Sequence, residues 1–276
     1  MQETNRVANG ADSRMDTSLS MDVPTEPIVR RASAELGYRE LLYVILFACA
    51  SFVAVGIACL TLLLGLEALF GWEVNLEKPL TEALMLIVVQ AIAWMLILVF
   101  VYFLVTVKHG MEFRRVIGWI PLTQPFSAGP LYCLTGVGLA CLVVVIASMM
   151  PLPNQSSPFE DLLRDPSALL LVTAFGITVF PVVEEISFRG FFFAIMERIH
   201  GTLIAVVITS TVFSIVHGPQ YGWQWQSLTL LFCVGSIFAA VRVKTKSIVP
   251  VILVHSGYNA TLLLGALFSD GASGKL

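Results

Sequence analysis

Val182-Val-Glu-Glu-Ile-Ser-Phe-Arg-Gly-Phe-Phe-Phe193 is the stretch on which the reading of this chain turns. Glu184, Glu185 and Arg189 stand close together in it, inside sequence that is otherwise apolar enough for a membrane. A charged side chain at the bilayer centre costs about 2.5–3.5 kcal/mol even on the lenient insertion scale. Three such groups so near one another must face a protein interior or a watered cavity. Two further apolar runs each carry a histidine, His217 and His255, and Asn259 follows the second by one helical turn. These residue types, brought together, are the makings of a buried hydrolytic site.

The rest of the composition agrees with a membrane setting. Of the 276 residues 57% are hydrophobic and only 13% charged, with a mean hydropathy of +0.85. Soluble domains carry about 25% charged residues. An integral, all-α, polytopic membrane protein is therefore expected. The net charge of −3 and the lack of a basic stripe argue against nucleic acid as a partner. Cys49, Cys59, Cys133, Cys141 and Cys233 all lie in apolar stretches and form no CxxC pair, so they read as small core residues.

Residues 1–40 are polar and lack an apolar period, which predicts a disordered cytoplasmic tail. Apolar runs near the roughly 20 residues that a spanning helix needs fall at 41–66, 83–107, 129–150, 168–196, 202–217, 228–241 and 248–268. About seven spans are expected, three of them in an amino-terminal part over 41–150 and the others in a catalytic helical core over 168–268. With the amino terminus inside, the inner segments hold twelve Lys and Arg residues, and the outer ones only Lys78, Arg164 and Lys275. That is the positive-inside pattern. Met111–Ile120 is expected to lie flat on the cytoplasmic surface, with Phe113, Ile117 and Ile120 toward lipid. Glu67 and Gln90 are taken as structural.

Spacing suggests how the polar residues meet. If the chain turns at Gly201, Glu185 lies sixteen residues before the turn and His217 sixteen after it. At about 1.5 Å per residue, both sit roughly 24 Å from the turn in an antiparallel hairpin. Glu185 and Arg189, spaced i, i+4, share a helix face and can pair. Glu184 points about 100° away from Glu185 and is left to face a cavity. His255 and Asn259 are also spaced i, i+4 on one face. Each feature alone has a bland explanation: an intramembrane Glu–Arg pair is most often a structural salt bridge, and a lone histidine a helix–helix hydrogen bond. Taken jointly, several costly polar insertions on three helices point to a site.

At these residues the chain resembles the CPBP family, the CAAX-processing (CAAX prenyl protease 2) and bacteriocin-immunity (Abi) type of intramembrane protease. Glu-Glu-x-x-x-Arg stands at Glu184–Arg189, followed by Gly190. Phe-x-x-x-His stands at Phe213–His217, and His-x-x-x-Asn at His255–Asn259. The resemblance covers about 168–268. It implies peptide-bond hydrolysis in the membrane, with a membrane-bound peptide or protein as substrate and the lipid bilayer as surroundings.

Two mechanisms go with the family. In one, Glu184, His217 and His255 help to bind a zinc ion. In the other no metal is needed: Glu184 with His217 activates the water, while His255 and Asn259 donate hydrogen bonds to the oxyanion. Glu185 and Arg189 orient the site in either case. Asn is a good oxyanion donor and a poor zinc ligand, which leans toward the metal-free route.

The runner-up function is a non-catalytic immunity or regulatory protein of the same fold, although such a relative should tend to lose motif residues and none is lost here. A proton-relay transporter would predict inverted repeats or paired broken helices, and none is visible. The cell membrane is the expected location in a bacterium. A prenylated CAAX substrate belongs to a eukaryotic host.

Overall fold

Gly71, in the left-handed region at φ +67°, closes the first long helix by returning its N–H to the Glu67 carbonyl at 2.9 Å. That helix, α1 (Tyr38–Phe70), and the ten that follow come from a computed structural model that describes residues 36–71, 75, 78–122, 125–151 and 155–272. All regular structure among the described residues is helical. The tail expected over 1–40 lies, up to residue 35, outside the described residues.

α2 (Pro79–Tyr102) starts on a proline, whose missing N–H is harmless at a helix start, and runs on as a π-helical turn, Phe103–Lys108. It packs antiparallel to α1 through Phe47 stacked on Phe100 and Phe52 edge-on to Trp94. After the short α3 (Phe113–Ile117), α4 (Pro125–Met149) crosses back, and α5 (Pro158–Leu162) caps the far end. α6 (Pro166–Thr178) and α7 (Phe180–Glu185) meet at a 41° bend. Pro181 explains it: with no N–H, it leaves the Ile177 carbonyl without its helical donor. α7 continues through a π-helical turn, Ile186–Phe192, into α8 (Phe193–His200). α9 (Thr202–Val216), α10 (Trp225–Thr245) and α11 (Val249–Ala272) complete the bundle.

Five of these helices are long and apolar enough to cross a membrane, or six if the bent pair Pro166–Thr178 and Phe180–His200 is one span. Their apolar side chains point outward, as in Leu62 and Met149, which is stable only in lipid. The integral membrane class therefore holds, but a count of about seven is not confirmed. The run at 202–217 forms a helix of 15 residues, about 22 Å long at 1.5 Å per residue and short of a full bilayer.

Lys108, Arg198 and His200 gather at one end of the bundle, around the start of α1. Lys108 Nζ reaches Glu40 Oε1 at 3.3 Å, joining the end of α2 to the start of α1. Arg198 donates to the Leu36 carbonyl, and His200 pairs with the Tyr38 hydroxyl. Ser247 donates to the Ile120 carbonyl at 2.7 Å. Ile117 departs from expectation here: it is buried, not lipid-facing, and packs with Ile186, Ile248 and Ile252. Gly190 makes the room, since a Cβ on it would stand 2.9 Å from Ile117 Cβ.

The crossing of α4 and α11 has no space for side chains at two points. A Cβ at Gly136 would overlap the Val254 carbonyl, and one at Gly257 would overlap the Cys133 carbonyl. Such close approach of small residues is how membrane helices gain packing energy. It sets the depth and rotation of α11, and so of His255 and Asn259.

Candidate active site

The hairpin of α8 and α9 turns at Gly201, in a backbone conformation with φ +81° that favours glycine. Glu184 and His217 consequently line one cavity, of about 450 Å³, and α11 adds His255 and Asn259 to its wall. The three sequence motifs, apart by up to 75 residues in the chain (259 less 184), therefore converge.

Glu185 lies behind that wall and is fully buried. Its Oε1 accepts from Arg189 Nη1 at 3.1 Å and from His255 Nδ1 at 2.8 Å. Arg189, also fully buried, donates through Nη2 to the Gly235 carbonyl at 3.0 Å. Its guanidinium lies 4.4 Å from the ring centroid of Phe213, 5.3 Å from Phe238 and 5.9 Å from Phe188. Aromatic faces stabilise a desolvated cation, while the Arg189 Nε is buried without a hydrogen-bond partner among the described residues. The π-helical turn at Ile186–Phe192, which contains Arg189, is a local expansion of a kind often found at functional sites.

Hydrogen bonds settle which ring nitrogens are free. His217 Nδ1 lies 2.7 Å from the Phe213 carbonyl, which can only accept. Nδ1 therefore carries the proton, and in the neutral ring Nε2 is a bare acceptor. Phe213 thus does two things in its motif: its carbonyl fixes the His217 tautomer and its ring supports Arg189. His255 likewise commits Nδ1 to Glu185, and its Nε2 lies 3.9 Å from Glu184 Oε2. Asn259 Nδ2 donates to the Gly176 carbonyl at 2.8 Å, beside the bend.

Glu184, His217 and His255 are donor types that zinc accepts. Among the described residues, however, no three His, Cys, Asp or Glu side chains are placed to hold a metal ion together. The arrangement as it stands does not fit the ion, and no step below is routed through one.

The cavity has walls that spacing alone did not reveal. Glu82, Leu86 and Gln90 of α2 contribute to it, so Gln90, expected to be structural, also forms part of the cavity wall. The i, i+4, i+8 stripe of these residues in an apolar helix was the available signal. Tyr221 and Tyr258 line it as well. Tyr258 sits next to Asn259 and three residues after His255, which places it on the same face of α11. Tyr221 had no sequence signal, because it belongs to the turn between α9 and α10. Burial first, then the charges of Glu184 and Glu160, push its phenol up to about 12.

Residues 166–261 match the family model described as "Type II CAAX prenyl endopeptidase Rce1-like". No curated protein and no solved structure matches the chain. The match takes in all three motifs and the helices that carry them, α6 to most of α11. Residues 166–261 thus match an Rce1-like domain, consistent with the CPBP family that the motifs resemble.

Proposed function

We propose that the protein is an intramembrane endopeptidase that cuts a peptide bond of a membrane-associated or CAAX-like substrate with water activated by Glu184. The observation that carries this reading is the split between the two adjacent acids. Glu185 is spoken for by Arg189 and His255, whereas Glu184 faces the cavity together with the bare Nε2 of His217. One carboxylate orients the site and the other is free to take a proton.

In this mechanism a water lies between Glu184 and His217 Nε2. Glu184 accepts its proton as the hydroxide adds to the carbonyl carbon, and the C=O electron pair moves to oxygen. Collapse of the tetrahedral species breaks the C–N bond, and the leaving amine takes the proton from Glu184. His255 donates from Nε2 when it carries a second proton, with Glu185 holding Nδ1. Asn259 has one N–H left after bonding Gly176. The cation-rich end of the bundle belongs, on the same reading, in the cytoplasm with the amino terminus, and the cell membrane is the location in a bacterial host.

The test is cleavage of a quenched-fluorescent farnesylated CAAX peptide, and of a panel of hydrophobic membrane peptides, by protein in nanodiscs. Glu184→Gln should lower kcat by at least ~10²-fold, in the range of a lost general base, with unchanged yield of folded protein. A Glu184→Gln enzyme at full rate would refute the assignment. Wild-type activity that vanishes on exhaustive chelation and returns with zinc would refute the metal-free route alone.

A further inference from the structure

The motif residues offer the cavity few hydrogen-bond donors. Glu184 and neutral His217 offer only acceptors to the cavity, and His255 and Asn259 have each committed one N–H to the protein. A carbonyl oxygen that becomes an oxyanion needs preorganised donors. We propose that Tyr221 is a further catalytic residue, whose hydroxyl donates to the oxygen of the scissile carbonyl as negative charge develops there. This rests on the peptidase reading above.

The turn between α9 and α10 is built to hold this phenol. Tyr221 N–H bonds the His217 carbonyl at 3.2 Å, so Tyr221 stands one turn beyond the histidine on the same cavity wall. Trp223 N–H closes back onto the Gly218 carbonyl at 2.8 Å. Trp223 adopts φ +57°, a conformation that a bulky residue takes only when its surroundings impose it. Gly218 has no room for a Cβ because the Trp223 ring fills the place. From outside, the Phe159 N–H bonds the Gln220 carbonyl at 3.1 Å, and the Phe159 ring lies 5.9 Å from that of Tyr221.

The phenol is therefore fixed in position, on the wall of the cavity that Glu184 and His217 also line. Burial, and after it the charge of Glu184, holds the proton on the phenol at neutral pH, as a donor to an oxyanion must. Water loses a proton to Glu184, the carbonyl π pair moves to oxygen, and the Tyr221 O–H stabilises that oxygen without transferring its proton.

Tyr221→Phe removes the hydroxyl and retains the ring contact with Phe159. In nanodiscs with the farnesylated CAAX peptide, kcat should fall ~10²-fold or more, as for loss of one oxyanion donor, with KM within about threefold because the donor acts on the transition state. A kcat within about threefold of wild type overturns the proposal. If Glu184→Gln is inactive at the same time, the peptidase reading survives that failure. If Tyr221→Phe misfolds, 3-fluorotyrosine at 221 preserves the fold and lowers the phenol pKa. It should add an alkaline limb to the pH–kcat profile that wild type lacks, and a profile without that limb overturns the proposal. Should wild type cleave none of the peptides, binding decides. Tyr221→Phe should weaken a phosphinate analogue of the farnesylated peptide, whose tetrahedral P–O⁻ mimics the oxyanion, at least tenfold while leaving the parent peptide unchanged. Equal loss for both ligands, or for neither, overturns the proposal.

Discussion

Replacing Arg189 with methionine tests whether the pair behind the cavity organises the site. The guanidinium makes two hydrogen bonds, to Glu185 Oε1 at 3.1 Å and to the Gly235 carbonyl at 3.0 Å, and touches three aromatic faces. Removing one partner of a buried ion pair costs about 3–5 kcal/mol, because the other charge is left unpaired. The cation–π contact with Phe213 adds about 0.5–2 kcal/mol, but these contributions share the same groups and do not sum. His255 Nδ1 remains on Glu185 and offsets part of the loss, so about 3 kcal/mol is the expected destabilisation, at the low end of the range for a broken buried pair. At about 1.36 kcal/mol per decade this is about a hundredfold in the folded-to-unfolded ratio. Unfolding in mixed micelles with increasing denaturing detergent measures it. Arg189→Met with Glu185→Gln should recover most of the stability, because no buried charge is then stranded. The double variant should not recover cleavage, because His255 loses its carboxylate partner. A single variant as stable as wild type, or a double variant no more stable than the single, would refute the reasoning.

Two further outcomes follow from the glycines. Gly235→Ala places a Cβ 3.2 Å from both Arg189 Nη2 and Phe213 Cδ1. It should cost about 1 kcal/mol, as mild overpacking does, and lower kcat more than stability, read by peptide cleavage beside detergent unfolding. Gly136→Val drives a side chain into the backbone of α11 at Val254 and Tyr258. It should sharply reduce folded protein recovered from membranes, measured by size-exclusion chromatography.

The amino-acid sequence by itself determined whatever depends on local periodicity and on the cost of polarity in lipid. Composition placed the chain in a membrane. The i, i+4 spacing paired Glu185 with Arg189, the neighbouring positions sent Glu184 to another face, and Gly201 marked the turn that levels the acids with His217. These relations lie within one helix or one hairpin, where about 1.5 Å per residue is a sufficient ruler. Contacts between helices were settled only by tertiary packing. His255 Nδ1 meets Glu185 across 70 residues, because the glycine crossing of α4 and α11 fixes how deep α11 sits. The Gly235 carbonyl holds Arg189 because that glycine has no side chain in the way. Gln90 and Tyr221 reach the cavity by virtue of neighbours far away in the chain, as Ile117 reaches the core. The number of spans was also tertiary, since a proline bend splits one apolar run and a short helix replaces another. Hydropathy measures only how apolar a run is, whereas packing decides its length, its tilt and what it faces.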